Sequence, residues 1–307
     1  LLHVQTKKGK GFRPADKGPT RFHSTGPFKI NGDDTVVATS VKRGKSFTDA
    51  FGESLTALAE QDERIVAITS AMCDGTGLGE FREKFPDRFY DVGIAESAAV
   101  DIAAGLAKSG LKPVVCIYST FLQRSFDQIF QEVALQNLPV VFCIDRAGMV
   151  GSDGPTHHGL MDVGYLRMLP NVVLTAPSDA ADMRQAIEFA LVGQDRPVVI
   201  RYAKETVLPE ETVAATSSQP YRLGKSVLAH RGQASSLTIA CYGGILAEGL
   251  KAAESLAADG IDVDVVNARF AAPIDPKLMG ILSRGKPLIT VEDHAVACGF
   301  GSAVLEM

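Results

Sequence analysis

A chain of 307 residues, 46% of them hydrophobic, has material for about two ordinary domains with buried cores. Its net charge of -5 argues against a general binder of nucleic acid or of membrane surfaces. No apolar run reaches the roughly 18–20 residues that a membrane span needs. The five cysteines, Cys73, Cys116, Cys143, Cys241 and Cys298, are scattered and no pair has metal-ligand spacing. That is the usage of a reducing compartment, with Cys116, Cys143 and Cys241 serving as small hydrophobes in apolar runs.

Residues 1–44 carry little periodic pattern: 7–12 read as a basic turn and 19–34 as irregular linker. The first residues resemble the inside of a strand and 299–307 the start of a helix, so both ends read as cut and a targeting signal would not be visible. From Ser46 the chain alternates. A helix over 46–59 stands behind a Ser cap, followed by a strand over 64–69 and a helix from about 96 to 108. Then come a strand at 113–117, an amphipathic helix over 121–136 and a strand at 138–144. After a long loop, a strand at 172–175, a helix over 179–191 and a strand at 197–200 complete the series. Such alternation predicts an α/β fold with a doubly wound parallel sheet. Residues 206–220 read as linker, and a second α/β unit begins beyond it, with strands at 236–241, 262–266 and 287–291 and a helix over 245–259.

Chemistry-bearing residues gather where these strands end. The loop 145–159 holds four glycines, a proline, one Arg, two Asp and two His, and follows a buried strand. Open α/β sheets place ligands in that crevice. Glu96 sits where an extended segment turns into a helix among Gly93, Ile94, Ala95, Ala98 and Ala99. Helix capping would place an acid there, and a carboxyl in such surroundings can also work as an acid. Tyr118 and Phe121 stand at a strand-to-helix turn, where an aromatic faces either the core or a ligand ring. Arg124 reads as a surface helix residue. Arg146 and Arg201 each end an apolar strand, which makes them an anion clamp or ordinary salt-bridge partners.

Taken together, several segments resemble the 1-deoxy-D-xylulose-5-phosphate synthase family of the transketolase superfamily. They are Thr6-Lys-Lys-Gly-Lys-Gly11, Asp91-Val-Gly-Ile-Ala-Glu96, Tyr118-Ser-Thr-Phe-Leu-Gln-Arg124, Asp145-Arg-Ala-Gly148, Asp153-Gly-Pro-Thr-His157 and Glu292-Asp-His294. The resemblance implies a tail of an N-terminal diphosphate-binding domain over 1–43, a pyrimidine-binding domain over 44–205 and a truncated C-terminal domain over 221–307. It implies thiamine diphosphate as cofactor with Mg2+, whose ligands would lie in the rest of the N-terminal domain. The implied reaction condenses pyruvate with D-glyceraldehyde 3-phosphate, releasing carbon dioxide, in isoprenoid biosynthesis, with a homodimer as the complete enzyme in a bacterial cytoplasm or plastid stroma. Glu96 matches the acid that hydrogen-bonds N1′ of the aminopyrimidine, and Phe121 the ring stacked on it. Ile94 and Lys8 match further cofactor contacts. Tyr118, Arg146, Asp153 and Arg201 match the acceptor site, the arginines holding its phosphate, and His157 a polar group near the reacting carbon.

Two departures stand out. The family follows the Glu with Gln-His, where this chain has Ser97-Ala98, and the family's Gly-Asp-Gly metal motif has no match here. The chain then reads as a fragment or one chain of a split enzyme, inactive alone. Two alternatives remain open: the C-terminal subunit of a two-chain transketolase, and a non-catalytic remnant acting as a regulatory partner.

Overall fold

The computed structural model describes residues 1–18, 22, 27–31, 36–38, 44–208 and 219–307. They fall into two units, Leu1–Gly44 and Lys45–Met307. In the first, strands β1 (Phe28–Ile30) and β2 (Val36–Ala38) pair antiparallel. The rings of Phe12, Phe22 and Phe28 cluster there with centroids 5.3 to 6.2 Å apart. Of the linker expected over 19–34, residues 19–21, 23–26 and 32–34 lie outside the described residues, as do 209–218 of the linker expected over 206–220.

The apolar runs of the second unit become the strands β3 (Ile65–Thr69), β5 (Lys112–Tyr118), β6 (Val141–Asp145), β7 (Val173–Thr175) and β8 (Val198–Arg201), and a short strand that the sequence pattern does not announce, β4 (Phe89–Asp91), joins them. All pair in parallel, and β3, β6 and β8 are buried at every residue. Strands lose both faces to water only when helices cover both sides. One face packs Phe51 and Leu55 of the helix Phe47–Ala59 with Met183 and Ile187 of the helix Ala180–Val192. The other packs Val100 and Ala103 of the helix Glu96–Lys108 with Ile129 and Val133. Ser46 caps the first helix in a capping box with Asp49.

A second sheet holds β9 (Val227–His230), β10 (Leu237–Tyr242), β11 (Val263–Asn267) and β13 (Leu288–Glu292), in the order β13-β10-β11-β9. Between β11 and β13 the chain makes one excursion that the sequence pattern does not announce. Strand β12 (Phe270–Ala272) leaves for the first sheet and pairs antiparallel with β7, so that sheet runs β12-β7-β8-β6-β5-β3-β4. A boundary between 205 and 221 therefore does not separate the two sheets. Arg269, buried against Asp182 at 2.7 Å, fastens the excursion.

The helix expected over 121–136 is not continuous. It resolves into Ser119–Leu122, a 3₁₀ turn Gln123–Ser125, a short turn Phe126–Gln128 and a π turn Ile129–Ala134. Such irregular turns cluster at functional sites.

Candidate functional site

Chain order reverses between β3 and β5: β4 lies on one side of β3, and the chain then crosses to the other. The crevice at such a switch point, beyond the carboxyl ends of the strands, is where open α/β sheets bind ligands. Two groups of side chains meet there.

The first surrounds Glu96, at the start of the helix Glu96–Lys108. Asp91 builds the turn before it, its Oδ1 accepting the N–H of Ala71 at 2.8 Å and of Gly93 at 3.0 Å. Gly93 turns there with φ +71°, a conformation that costs a side chain. The Glu96 side chain is 3% exposed. Its surroundings are not only small and apolar, as the sequence pattern suggests. Arg124, in the 3₁₀ turn, donates from Nη1 to Glu96 Oε2 at 2.8 Å, leaving Oε1 for another donor. Ser97 donates only a 3.4 Å contact to the Arg124 carbonyl. Ile94 stands 80% exposed at the tip of the turn.

The second group joins the carboxyl end of β5 to the loop after β6. Tyr118 and Phe121 stack with centroids 5.6 Å apart, and His157 meets Phe121 edge-on at 5.1 Å. The Arg146 guanidinium lies 4.1 Å over the Tyr118 ring and pairs with Asp145 at 3.0 Å and Asp153 at 3.8 Å. It also donates to the Gly75 carbonyl. A Cβ at position 75 would come within 1.7 Å of the Tyr118 hydroxyl, so any side chain there would displace that ring. Asp145 is fully buried, and burial raises its pKa against the pull of Arg146. Burial likewise pushes the Tyr118 phenol up to about 12. The loop is closed at its neck, Gly148 and Gly159 exchanging two backbone hydrogen bonds of 2.8 Å.

The two arginines do not converge on one partner. Arg201 is 3% exposed, donates from Nε to Asp162 at 2.8 Å and from Nη2 to the Asp293 carbonyl at 3.0 Å. His294 stands 3.6 Å from the other Asp162 oxygen. Arg146 instead keeps Asp145 and Asp153. Lys8 lies exposed in the first unit, described apart from this crevice. Sequence reasoning passed over Gly75, Asp162 and Lys204 and gave Arg124 no partner. A lysine three residues past the strand that ends in Arg201 was the one available signal.

Lys204 donates to Asp153 at 2.6 Å. Burial opposes ionisation of Asp153, but the hydrogen bond and charge of Lys204, with Arg146 and His157, outweigh it and lower its pKa below 3.8. A carboxylate lowered on folding contributes stability that is fully present above its unfolded value and lost as pH falls through the folded one. The Lys204→Met variant should therefore be less stable at pH 6 by about 0.2–1 kcal/mol. Below pH 3 the difference from the parent should shrink, as thermal melts at both pH values would reveal. A difference independent of pH would show that the pair contributes packing alone.

Residues 43–209 match the model of the transketolase pyrimidine-binding domain, and 226–307 that of the transketolase C-terminal domain. The chain belongs to the transketolase family. Across its whole length it is 46% identical to a 1-deoxy-D-xylulose-5-phosphate synthase 2 of Geobacter sulfurreducens and 48% identical to the 1-deoxy-D-xylulose-5-phosphate synthase of Syntrophotalea carbinolica. It covers 48% of each, so the chain spans about half the length of the curated relatives it matches. Among solved structures it resembles a chain titled a split gene transketolase, inactive beta4 tetramer, with TM-score 0.76, 30% identity and coverage of 86% of this chain and 85% of that one. The transketolase of Leishmania mexicana shares the fold, with TM-score 0.71, 20% identity and coverage of 83% of this chain and 39% of that one.

Proposed function

We propose that this chain supplies the pyrimidine side of a thiamine-diphosphate site and the acceptor site of a 1-deoxy-D-xylulose-5-phosphate synthase, joining pyruvate to D-glyceraldehyde 3-phosphate with loss of carbon dioxide. The observation that carries the reading is a buried carboxylate with one free oxygen, Glu96, held by Arg124, which follows the half-buried ring of Phe121 by three residues. This donor set fits an aminopyrimidine. When bound, the cofactor supplies an electron sink for decarboxylation. Glu96 holds a proton at N1′ of the pyrimidine, with Arg124 fixing the carboxyl in place. Phe121 offers a ring face and Ile94 an apolar edge. Mg2+ would be held by residues outside this chain; among the described residues no three His, Cys, Asp or Glu side chains cluster as a metal site. A homodimer of the complete enzyme belongs to the same reading.

The acceptor phosphate lies against Arg146, with Tyr118, Asp153 and His157 around the aldehyde. Losing one charged hydrogen-bonding partner costs about 1.5–3 kcal/mol, roughly ten- to a hundredfold. The test uses a chimera in which this chain replaces the matching half of the Geobacter sulfurreducens relative. Arg146→Met should lower kcat/KM for glyceraldehyde 3-phosphate by that factor and leave unphosphorylated glyceraldehyde unchanged. Equal losses for both acceptors would refute the assignment. The likeness to the split gene transketolase supports a second reading, a subunit of a two-chain transketolase, and a choice between donors separates the two.

A further inference from the structure

Away from the crevice, the second sheet carries a cavity of about 430 Å³, within the range of small-molecule sites. Side-chain alternation explains it. Val263 and Val265 of β11 pack with Leu246 of the helix Leu246–Ala258, so Asp264 and Val266 face the other side. There the helix Pro276–Leu282, only 7 residues long, lies over the sheet. At about 1.5 Å per residue it is too short to cover four strands spaced about 4.8 Å apart. The uncovered remainder has an apolar floor of Leu228, Val266, Leu278 and Ile281.

Its rim is basic in a protein of net charge -5. Arg231, Lys277, Arg284 and Lys286 line it against one carboxylate, Asp264, which Lys286 already neutralises at 2.7 Å. Arg231 and Lys277 are exposed and have no carboxylate partner among the described residues. Among the described residues Arg284 bonds only the Gly280 carbonyl, through Nε at 2.9 Å, which leaves its terminal nitrogens for an anion. Cations above an apolar floor recognise a molecule with both features.

We propose that this cavity binds a small soluble phosphate monoester with an apolar body, the phosphate on Arg231, Lys277 and Arg284 and the body on Leu228, Leu278 and Ile281. Nothing in this proposal depends on the acceptor site. Calorimetry of the full chain with n-hexyl phosphate, inorganic phosphate and n-hexanol tests it. Hexyl phosphate should saturate one site and bind about tenfold or more tighter than inorganic phosphate, with n-hexanol giving no heat. The double variant Arg231→Glu, Lys277→Glu should weaken it about tenfold or more, and Arg146→Met should leave it unchanged. Arg284→Glu alone, weakening it severalfold, is the readout if the double variant does not fold. Binding no tighter than phosphate, binding that survives these reversals, binding lost with Arg146→Met, or attachment only to phosphatidylglycerol vesicles would each overturn the proposal.

Discussion

Replacing Glu96 by Gln in the chimeric enzyme should slow hydrogen exchange at the thiazolium carbon of bound thiamine diphosphate by about a hundredfold to ten-thousandfold, the range that one positioned acid or base contributes. The amide keeps the shape of the carboxyl but cannot share a proton with N1′. Arg124, now facing a neutral group through the 2.8 Å contact, is already 61% exposed and loses little by turning to water. The fold should therefore survive, and circular dichroism would separate lost chemistry from lost structure. Exchange near the parent rate would remove Glu96 from the proposed role and leave it a helix-capping acid.

The two arginines should part company when each is changed to methionine. Arg201→Met strands Asp162, which is 1% exposed and whose Oδ2, among the described residues, has its hydrogen bond from Arg201 alone. The other oxygen, Oδ1, has no hydrogen-bond partner among the described residues. Breaking a buried pair in this way costs about 3–5 kcal/mol, a fall in Tm on the order of 10 °C for a unit of this size. Arg146→Met strands less. Asp145 keeps the Thr48 hydroxyl at 2.8 Å and the Arg146 backbone N–H at 2.7 Å, and its raised pKa lets it take up a proton. That loss should stay near 1–3 kcal/mol. Thermal melts of both variants measure the contrast, and equal destabilisation would mean that the guanidinium of Arg146 is as structural as that of Arg201.

What the sequence made legible was whatever depends on neighbours along the chain. Strands β3, β6 and β8 announce themselves as apolar runs because both faces are buried, and Ser46 as a cap because its partner Asp49 is three residues on. The Glu96 turn and the loop after β6 were readable from glycines and charges packed into short segments. What stayed hidden depends on distant pairings. Arg124 is 28 positions from Glu96, Lys204 51 from Asp153 and Arg146 71 from Gly75. No local pattern encodes those meetings. Strand β12 was missed for the same reason: three residues carry no periodicity, and its partner β7 lies nearly a hundred positions earlier. The break in the helix expected over 121–136 also escaped, since amphipathic spacing survives a 3₁₀ or π turn.

Donor choice tests the central claim most directly. The chimera carrying this chain, given thiamine diphosphate, Mg2+ and glyceraldehyde 3-phosphate, would be offered carbon-13-labelled pyruvate or a labelled ketose phosphate, and products followed by NMR. The account predicts one carbon dioxide and one 1-deoxy-D-xylulose 5-phosphate per pyruvate consumed, with the ketose phosphate untouched. Transfer of a two-carbon unit from the ketose phosphate, with pyruvate unused, would contradict it and make the chain a transketolase subunit.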